Sequence, residues 1–344
     1  MRVAIGDDFV DVRDLIESAI TNALVKLTRD AGKTVYFLDG HNERRVEGKA
    51  ATEAGGFSRA ADALRNETYR VKTLLLAARG EVPDDADVLV IAGPTRVLHP
   101  QEHGALARYI EGGGAILVMM DPRSRTDLYR DLEKWGVGFG DDVIVDSAHA
   151  LFGKPTSPFA GQYSDHAITR DLREVVLFHQ ARSVHLLGDA AADYEIIVHT
   201  GEESWAERNL EGWLATGRAQ YDADDLPGPV PIAVAGNPHV DAEKPSGAAE
   251  VERPRLVALG DSDFATNQYI ENYRNRDLFV NAVNWLVGDD DAITIRPNLS
   301  RASRFQLSSE EYVAIQYLSV FVLPQLIGLL GVFVWWGRGR AGGR

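Results

Sequence analysis

Apolar runs alternate along this chain with segments of helical period. Thr34 to Leu38 (TVYFL), Val71 to Leu76, Val88 to Ala92 (VLVIA), Ala115 to Met120 (AILVMM) and Arg255 to Leu259 (RLVAL) read as strands. Residues 14 to 29 put Leu15, Ile20, Ala23, Leu24 and Leu27 on one helical stripe. Phe57 to Asn66, Pro100 to Glu111 and Arg276 to Val287 read as further helices, and Gly112-Gly113-Gly114 ends the second with a left-handed cap. Strands that are apolar without a break bury both faces, which is the mark of a parallel sheet covered by helices. Right-handed crossovers then predict an α/β class: a doubly wound, mostly parallel sheet of flavodoxin or amidotransferase-like type.

The pattern loosens between about residues 141 and 250. Val143 to Val145, Glu195 to His199 and Pro231 to Ala235 read as strands, but GKPTSPFAGQYSDH, YDADDLPGPVP and NPHVDAEKPSGAAEVERP are loops. This stretch reads as a loop-rich insertion in a body spanning residues 1–300, with Ile293 to Arg296 as its last strand and 301–311 as a linker.

One run stands apart. Tyr312 to Trp336, YVAIQYLSVFVLPQLIGLLGVFVWW, contains no charge, and aromatic residues sit towards its ends. As a helix it is roughly 37 Å long, enough to cross a hydrocarbon core. The expectation is a single C-terminal transmembrane helix kinked at Pro324, with Gly328 and Gly331 allowing close helix packing. Arg338 and Arg340 follow the run, and Glu310 and Glu311 precede it, so the short 337–344 tail is expected in the cytoplasm and the body outside. Export of the body calls for a leader, and the first residues have no apolar core of that kind; either a portion lies upstream of Met1, which is the expectation, or the body is cytoplasmic.

Charge narrows the partners. The chain carries −15 overall, and the first 311 residues, with 33 basic and 51 acidic side chains, carry −18. Such a body repels phosphate backbones, which argues against nucleic acid. The absence of cysteine excludes disulfides and thiolate chemistry.

In open α/β sheets, ligands sit beyond the carboxyl ends of the strands. Those ends carry His41, Glu43, Asp121, Asp261 and Asp263, a candidate ligand or cation site of oxygen-rich character. The competing reading makes the same residues turn formers and helix caps. A nucleophile elbow is missing: the relevant turn is Gly93-Pro94-Thr95, and no P-loop, dinucleotide fingerprint or zinc-protease motif occurs, so no catalytic residue, metal or cofactor is expected. His99 and His103 have i, i+4 spacing but read as helix surface; His179 and His185 have no evident partner; Trp205, Trp213 and Trp285 read as packing residues.

Taken together, ITNALVKLTRDAGKTVYFLDGHNE, Gly56-Phe57-Ser58, VPDDADVLVIAGPTRVL, LARYIEGGGAILVMMDP, SDHAIT and GDSDFATNQYIENYRNRDLFVNAVNWL resemble the gliding-motility-type (GldG-like) auxiliary proteins of ABC transport systems, over about residues 15 to 336. That family shows G-H-G-E after its first strand, where this chain has Gly40-His41-Asn42-Glu43. The resemblance implies a non-enzymatic, extracytoplasmic subunit tethered to the cytoplasmic membrane. It also implies an ABC-2-type permease and its ATPase as partners, an amidotransferase-like sheet without its nucleophile, and an upstream membrane helix and β-rich segment. The alternative from the residues alone is a membrane-anchored hydrolase or ligand sensor using the acidic sheet edge.

Overall fold

The computed structural model describes residues 2–5, 8–11, 32–149, 154–189, 193–217, 219–238 and 253–288, and 316–322, 324–329 and 331 near the C-terminus. The expected helix at 14–29, the strand at 293–296 and the linker at 301–311 lie outside these residues. Arg2–Ile5 and Asp8–Asp11 form an antiparallel pair.

The main sheet has eight strands: β1 (Thr34–Leu38), β2 (Arg70–Leu74), β3 (Val88–Ala92), β4 (Ala115–Met119), β5 (Gln162–Tyr163), β6 (Tyr194–His199), β7 (Pro231–Gly236) and β8 (Arg255–Leu259). Their spatial order is β5-β6-β7-β8-β4-β3-β1-β2. β8, β4, β3, β1 and β2 run parallel, and β5, β6 and β7 continue the sheet antiparallel. The parallel part has the 2-1-3-4-5 order of flavodoxin-like sheets, whose switch point lies between β1 and β3. Residues 141–250 are therefore more than a loop-rich insertion, since they supply three strands of the sheet. The long connections between β5, β6 and β7 hide that pairing from a local reading.

Strand periodicity explains the apolar runs. Val35, Phe37, Val88, Val90, Leu117 and Met119 face one way, onto α1 (Ser58–Asn66) and α6 (Asn275–Val287). Tyr36, Leu38, Leu89, Ile91, Ile116 and Val118 face the other way, onto α3 (Pro100–Glu111) and α4 (Tyr129–Lys134), with the short α2 (Leu76–Arg79) alongside. Successive side chains leave opposite faces, so a strand covered on both sides has little place for a polar residue away from its ends. β2 starts one residue earlier than expected and ends at Leu74, where α2 begins beyond it. At the end of α3 the left-handed residue is Gly113, with φ of 88°, while Gly112 keeps φ of −78°.

α6 is buried nearly all round, including three asparagines. Two of them serve backbone outside the main sheet. Asn275 accepts from Leu177 N at 2.8 Å and donates to Leu177 O and Phe264 O, both at 2.9 Å. Asn281 donates to Ile168 O at 2.8 Å, and Asn284 accepts from the Tyr69 hydroxyl at 2.6 Å. Trp285 packs on the same core and lies under the Arg255 guanidinium, 5.1 Å from the ring centre, as a packing residue should.

The expected span Tyr312 to Trp336 is described only in part. Its described residues are helical, with a π-helical turn at Leu318–Val322 just before Pro324, which has no backbone N–H to continue the regular ladder. Among the described residues no helix is long and apolar enough to cross a membrane.

Replacing Asn275 by Ala should remove three buried hydrogen bonds at once and destabilise the fold by about 3 kcal/mol. Urea unfolding followed by tryptophan fluorescence measures this; a loss well under 1 kcal/mol would contradict the role given to Asn275.

Candidate functional site

Four strand ends meet at the switch point. The chain leaves β1 through Asp39-Gly40-His41-Asn42-Glu43-Arg44, leaves β3 at Gly93, leaves β4 at Asp121 and leaves β8 at Asp261-Ser262-Asp263. Arg44 N donates to Ala92 O at 2.9 Å, which pins the first loop across the end of β3. Its guanidinium then reaches over the crevice. Nη2 donates to Asp121 Oδ2 at 3.1 Å and to Asp263 Oδ1 at 2.7 Å, and Nε donates to Ser262 Oγ at 3.1 Å.

The carboxylates are engaged from behind as well. Asp121 accepts from Ser262 N at 2.6 Å and from Ser262 Oγ at 2.7 Å. Asp261, fully buried, accepts from His179 N at 2.7 Å and from Asp263 N at 2.6 Å. Gly93 sits at φ of +62°, and a Cβ there would lie 2.6 Å from Ser262 Oγ and 2.9 Å from Asp121 Oδ2. The crevice is thus packed to the backbone of β3.

One arginine faces three carboxylates, and the imbalance bears on Asp261 and Asp263. Burial, with the neighbouring Asp263 and Asp121 charges, holds Asp261 well above the usual carboxylate range. Asp263 is pushed up to about 6, by burial first and by Asp121, with Arg44 pulling the other way. Close by, His179 is pushed down by burial and by Lys154. Its Nδ1 lies 2.8 Å from Ser157 Oγ, and its ring stacks on Tyr269 at 5.1 Å, so this histidine does have partners. Ser157 is 2% exposed, which closes its hydroxyl to a substrate.

His41 and Glu43, expected in the same cluster, belong to a separate network. His41 Nδ1 lies 3.1 Å from Glu43 Oε1 and Nε2 lies 2.9 Å from Glu102 Oε2, with all three side chains at least nine-tenths buried. Glu102 Oε2 also accepts from His99 N at 2.8 Å, tying the start of α3 to the loop after β1. His103, read from the sequence as helix surface, is instead paired: Nδ1 bonds Asp131, and Nε2 lies 3.2 Å from Asp127. Burial lowers its pKa, but those two carboxylates outweigh burial and raise it overall.

Sequence reading brought Asp121, Asp261 and Asp263 together and missed Arg44, Ser262 and Glu102. Arg44 stands beside Arg45 with nothing local to distinguish it, yet Arg45 is turned outward, 58% exposed, 3.7 Å from Asp39. Asn42 has φ of 66°, so this position needs the left-handed conformation that glycine adopts freely and asparagine tolerates. Its side chain donates to Thr95 Oγ1 at 2.8 Å. A cleft of about 310 Å³, open solvent included, lies on the β2 side of the crevice between Phe37, Leu38, Asp39, Arg45, Glu47 and Thr73. Among the described residues no three or more His, Asp or Glu side chains are arranged to hold a metal ion. A Cβ at Gly328 or Gly331 meets nothing within 4 Å.

Two substitutions test this geometry. Asp263 gains protons on folding, so the native state is favoured most below its ordinary value of 3.8, and that advantage fades as pH rises towards about 6. Asp263→Asn should therefore match the wild type near pH 4 and exceed it in stability by pH 7; urea midpoints that differ equally at both pH values would contradict the assignment. Gly93→Ala should cost about 2 kcal/mol, from left-handed strain and the clash with Ser262; an unchanged melting temperature would mean that the crevice is looser than described.

The N-terminal domain of mmIFT52 is similar in structure, at 16% identity and a TM-score of 0.53, covering 74% of this chain and 96% of that one, which bears on the fold alone. A ThuA-like protein from Bacteroides uniformis aligns at 12% identity and a TM-score of 0.43 over 75% of this chain and 92% of its own. No curated protein sequence matches the chain. The family described as "ABC-type uncharacterized transport system" matches residues 32–282, from the start of β1 into α6. The chain belongs to this family of ABC-type transport-system proteins.

Proposed function

We propose that the chain is a non-enzymatic, membrane-anchored auxiliary subunit of an ABC-2-type transport system. Its body lies on the extracytoplasmic side of the cytoplasmic membrane and binds a partner protein or an exported ligand. Tyr312 to Trp336 forms the single span, and Gly328 and Gly331 provide the face that meets the permease. Family membership supports the transport role.

The observation that carries the non-enzymatic reading is the state of the crevice. At the place where open α/β sheets hold their ligands, Arg44 fills the gap between strand ends. Asp121 and Asp261 are engaged by backbone N–H groups of the protein itself. The turn after β3 presents Pro94 where a nucleophile would stand. A hydrolase or cation sensor needs these groups available, so the same geometry weighs against that alternative.

Two experiments test the reading. Full-length protein drawn from membranes in mild detergent should bring the permease and its ATPase with it, and Gly328→Leu with Gly331→Leu should cut that recovery several-fold; recovery of the protein alone would overturn the accessory role. The chain has no cysteine, so a single Leu75→Cys, at a position 55% exposed, gives a clean topological probe. A membrane-impermeant maleimide should label it in intact cells or spheroplasts; labelling only after lysis would put the body in the cytoplasm.

A further inference from the structure

Beyond β6 the chain makes an excursion built to hold a helix away from the core. Trp205–Glu207 pairs with Val143–Val145 and with Leu226–Pro227, and between these strands lies α5 (Leu210–Thr216). Two buried carboxylates organise the segment. Glu207, 3% exposed, accepts from Asn209 N at 3.0 Å and Gln220 N at 3.1 Å; Asp225, 7% exposed, accepts from Arg208 N and Asp222 N, both at 2.9 Å. Asn209 caps the start of α5 by accepting from Gly212 N at 2.9 Å, and Gly217 ends the helix at φ of 66°.

What this scaffold supports is unusual. α5 has no buried residue, although Leu210, Trp213 and Leu214 fall at i, i+3 and i+4 and so share one face. Trp213, expected to be a packing residue, is not in the core. Leu214 is 53% exposed, and Tyr221, whose ring meets Trp205 at 6.2 Å, is 54% exposed. Leu210 and Trp213 are half-buried, so the two buried carboxylates, costly to assemble, fix the frame of an apolar face that is only partly covered and whose outermost residue is Leu214. The rim is acidic: Glu202, Glu203, Glu211, Asp222 and Asp224 are all exposed. Residues 201–225 carry seven acids against two arginines, a denser negative charge than the −15 of the whole chain.

We infer that the α5 face of Leu210, Trp213 and Leu214 is the docking site for a partner-protein segment that offers a bulky apolar side chain flanked by Lys or Arg. An aromatic and aliphatic centre within a charged rim is the usual anatomy of a protein interface, and the sign of the rim selects a basic partner. The inference rests on the auxiliary-subunit reading and names where the body meets the transporter. It is independent of the C-terminal helix, which makes its own contact.

The test uses the full-length chain co-expressed with the permease and ATPase and recovered in mild detergent. Trp213→Ser with Leu214→Glu should lower recovery of the complex by roughly tenfold, as loss of a central anchor does. Glu203→Lys with Glu211→Lys should lower it as well, and wild-type association should weaken as salt rises from about 50 mM to about 300 mM. Leu214, Glu203 and Glu211 are exposed while Trp213 is half-buried, so thermal unfolding is measured for each variant, and Leu214→Glu alone, which should keep the wild-type melting temperature and still lower recovery, separates lost docking from lost folding. If the wild type recovers the transporter and these variants recover it equally, the docking site is wrong and the subunit role stands. If the variants instead convert a dimer to a monomer in sedimentation, the face binds a second copy and the inference is overturned. If the wild type recovers no transporter, the subunit role fails and this inference with it.

Discussion

The constraint on which this structure depends is burial of the parallel strands on both faces. β1, β3 and β4 expose almost none of their side-chain surface, because α1 and α6 cover one face and α3 and α4 the other. A strand in that position is apolar along its length, Thr34 at the start of β1 excepted. Polar function is displaced to the strand ends, where the chain turns into loops. That is why the carboxylates, the arginine and the left-handed Gly93 gather at one edge of the sheet.

At that edge, electrostatics and packing act together. Arg44 links the exits of β1, β4 and β8 through hydrogen bonds to Asp121, Ser262 and Asp263. Its single charge cannot balance three carboxylates, so part of the cluster holds its protons more tightly than a solvated carboxylate does. The result resembles a ligand crevice that has been closed with the protein's own side chains. An enzyme of this sheet type keeps the same space open and places its reactive group there.

Much of this was legible in the sequence. β1, β3, β8 and α3 were readable to the residue, because an unbroken apolar run or a helix between Pro and Gly has few alternatives. Asp121, Asp261 and Asp263 could be grouped because each ends a recognisable strand. The antiparallel half could not be read that way. β5 is only two residues long, and β6 meets β7 through register shifts, so neither has a strong local signature. Arg44 and Glu102 were hidden for another reason. Their roles depend on partners 77 and 61 residues distant in sequence, and nothing about a loop arginine or a helix glutamate announces such a partner. Trp213 reads as a packing residue, and it is half-buried on a helix without a fully buried side chain, a difference that the type of residue alone does not signal.

The two margins of the sheet carry a consequence for assembly. One margin is β5, too short to offer a ladder to another chain. The other is β2, longer, but studded with Arg70 and Lys72, the lysine held in place by Asp85 at 2.6 Å. Short margins and fixed cations both discourage strand-to-strand fusion between molecules. With both margins guarded, contacts between copies of this sheet fall to side-chain surfaces rather than to backbone ladders.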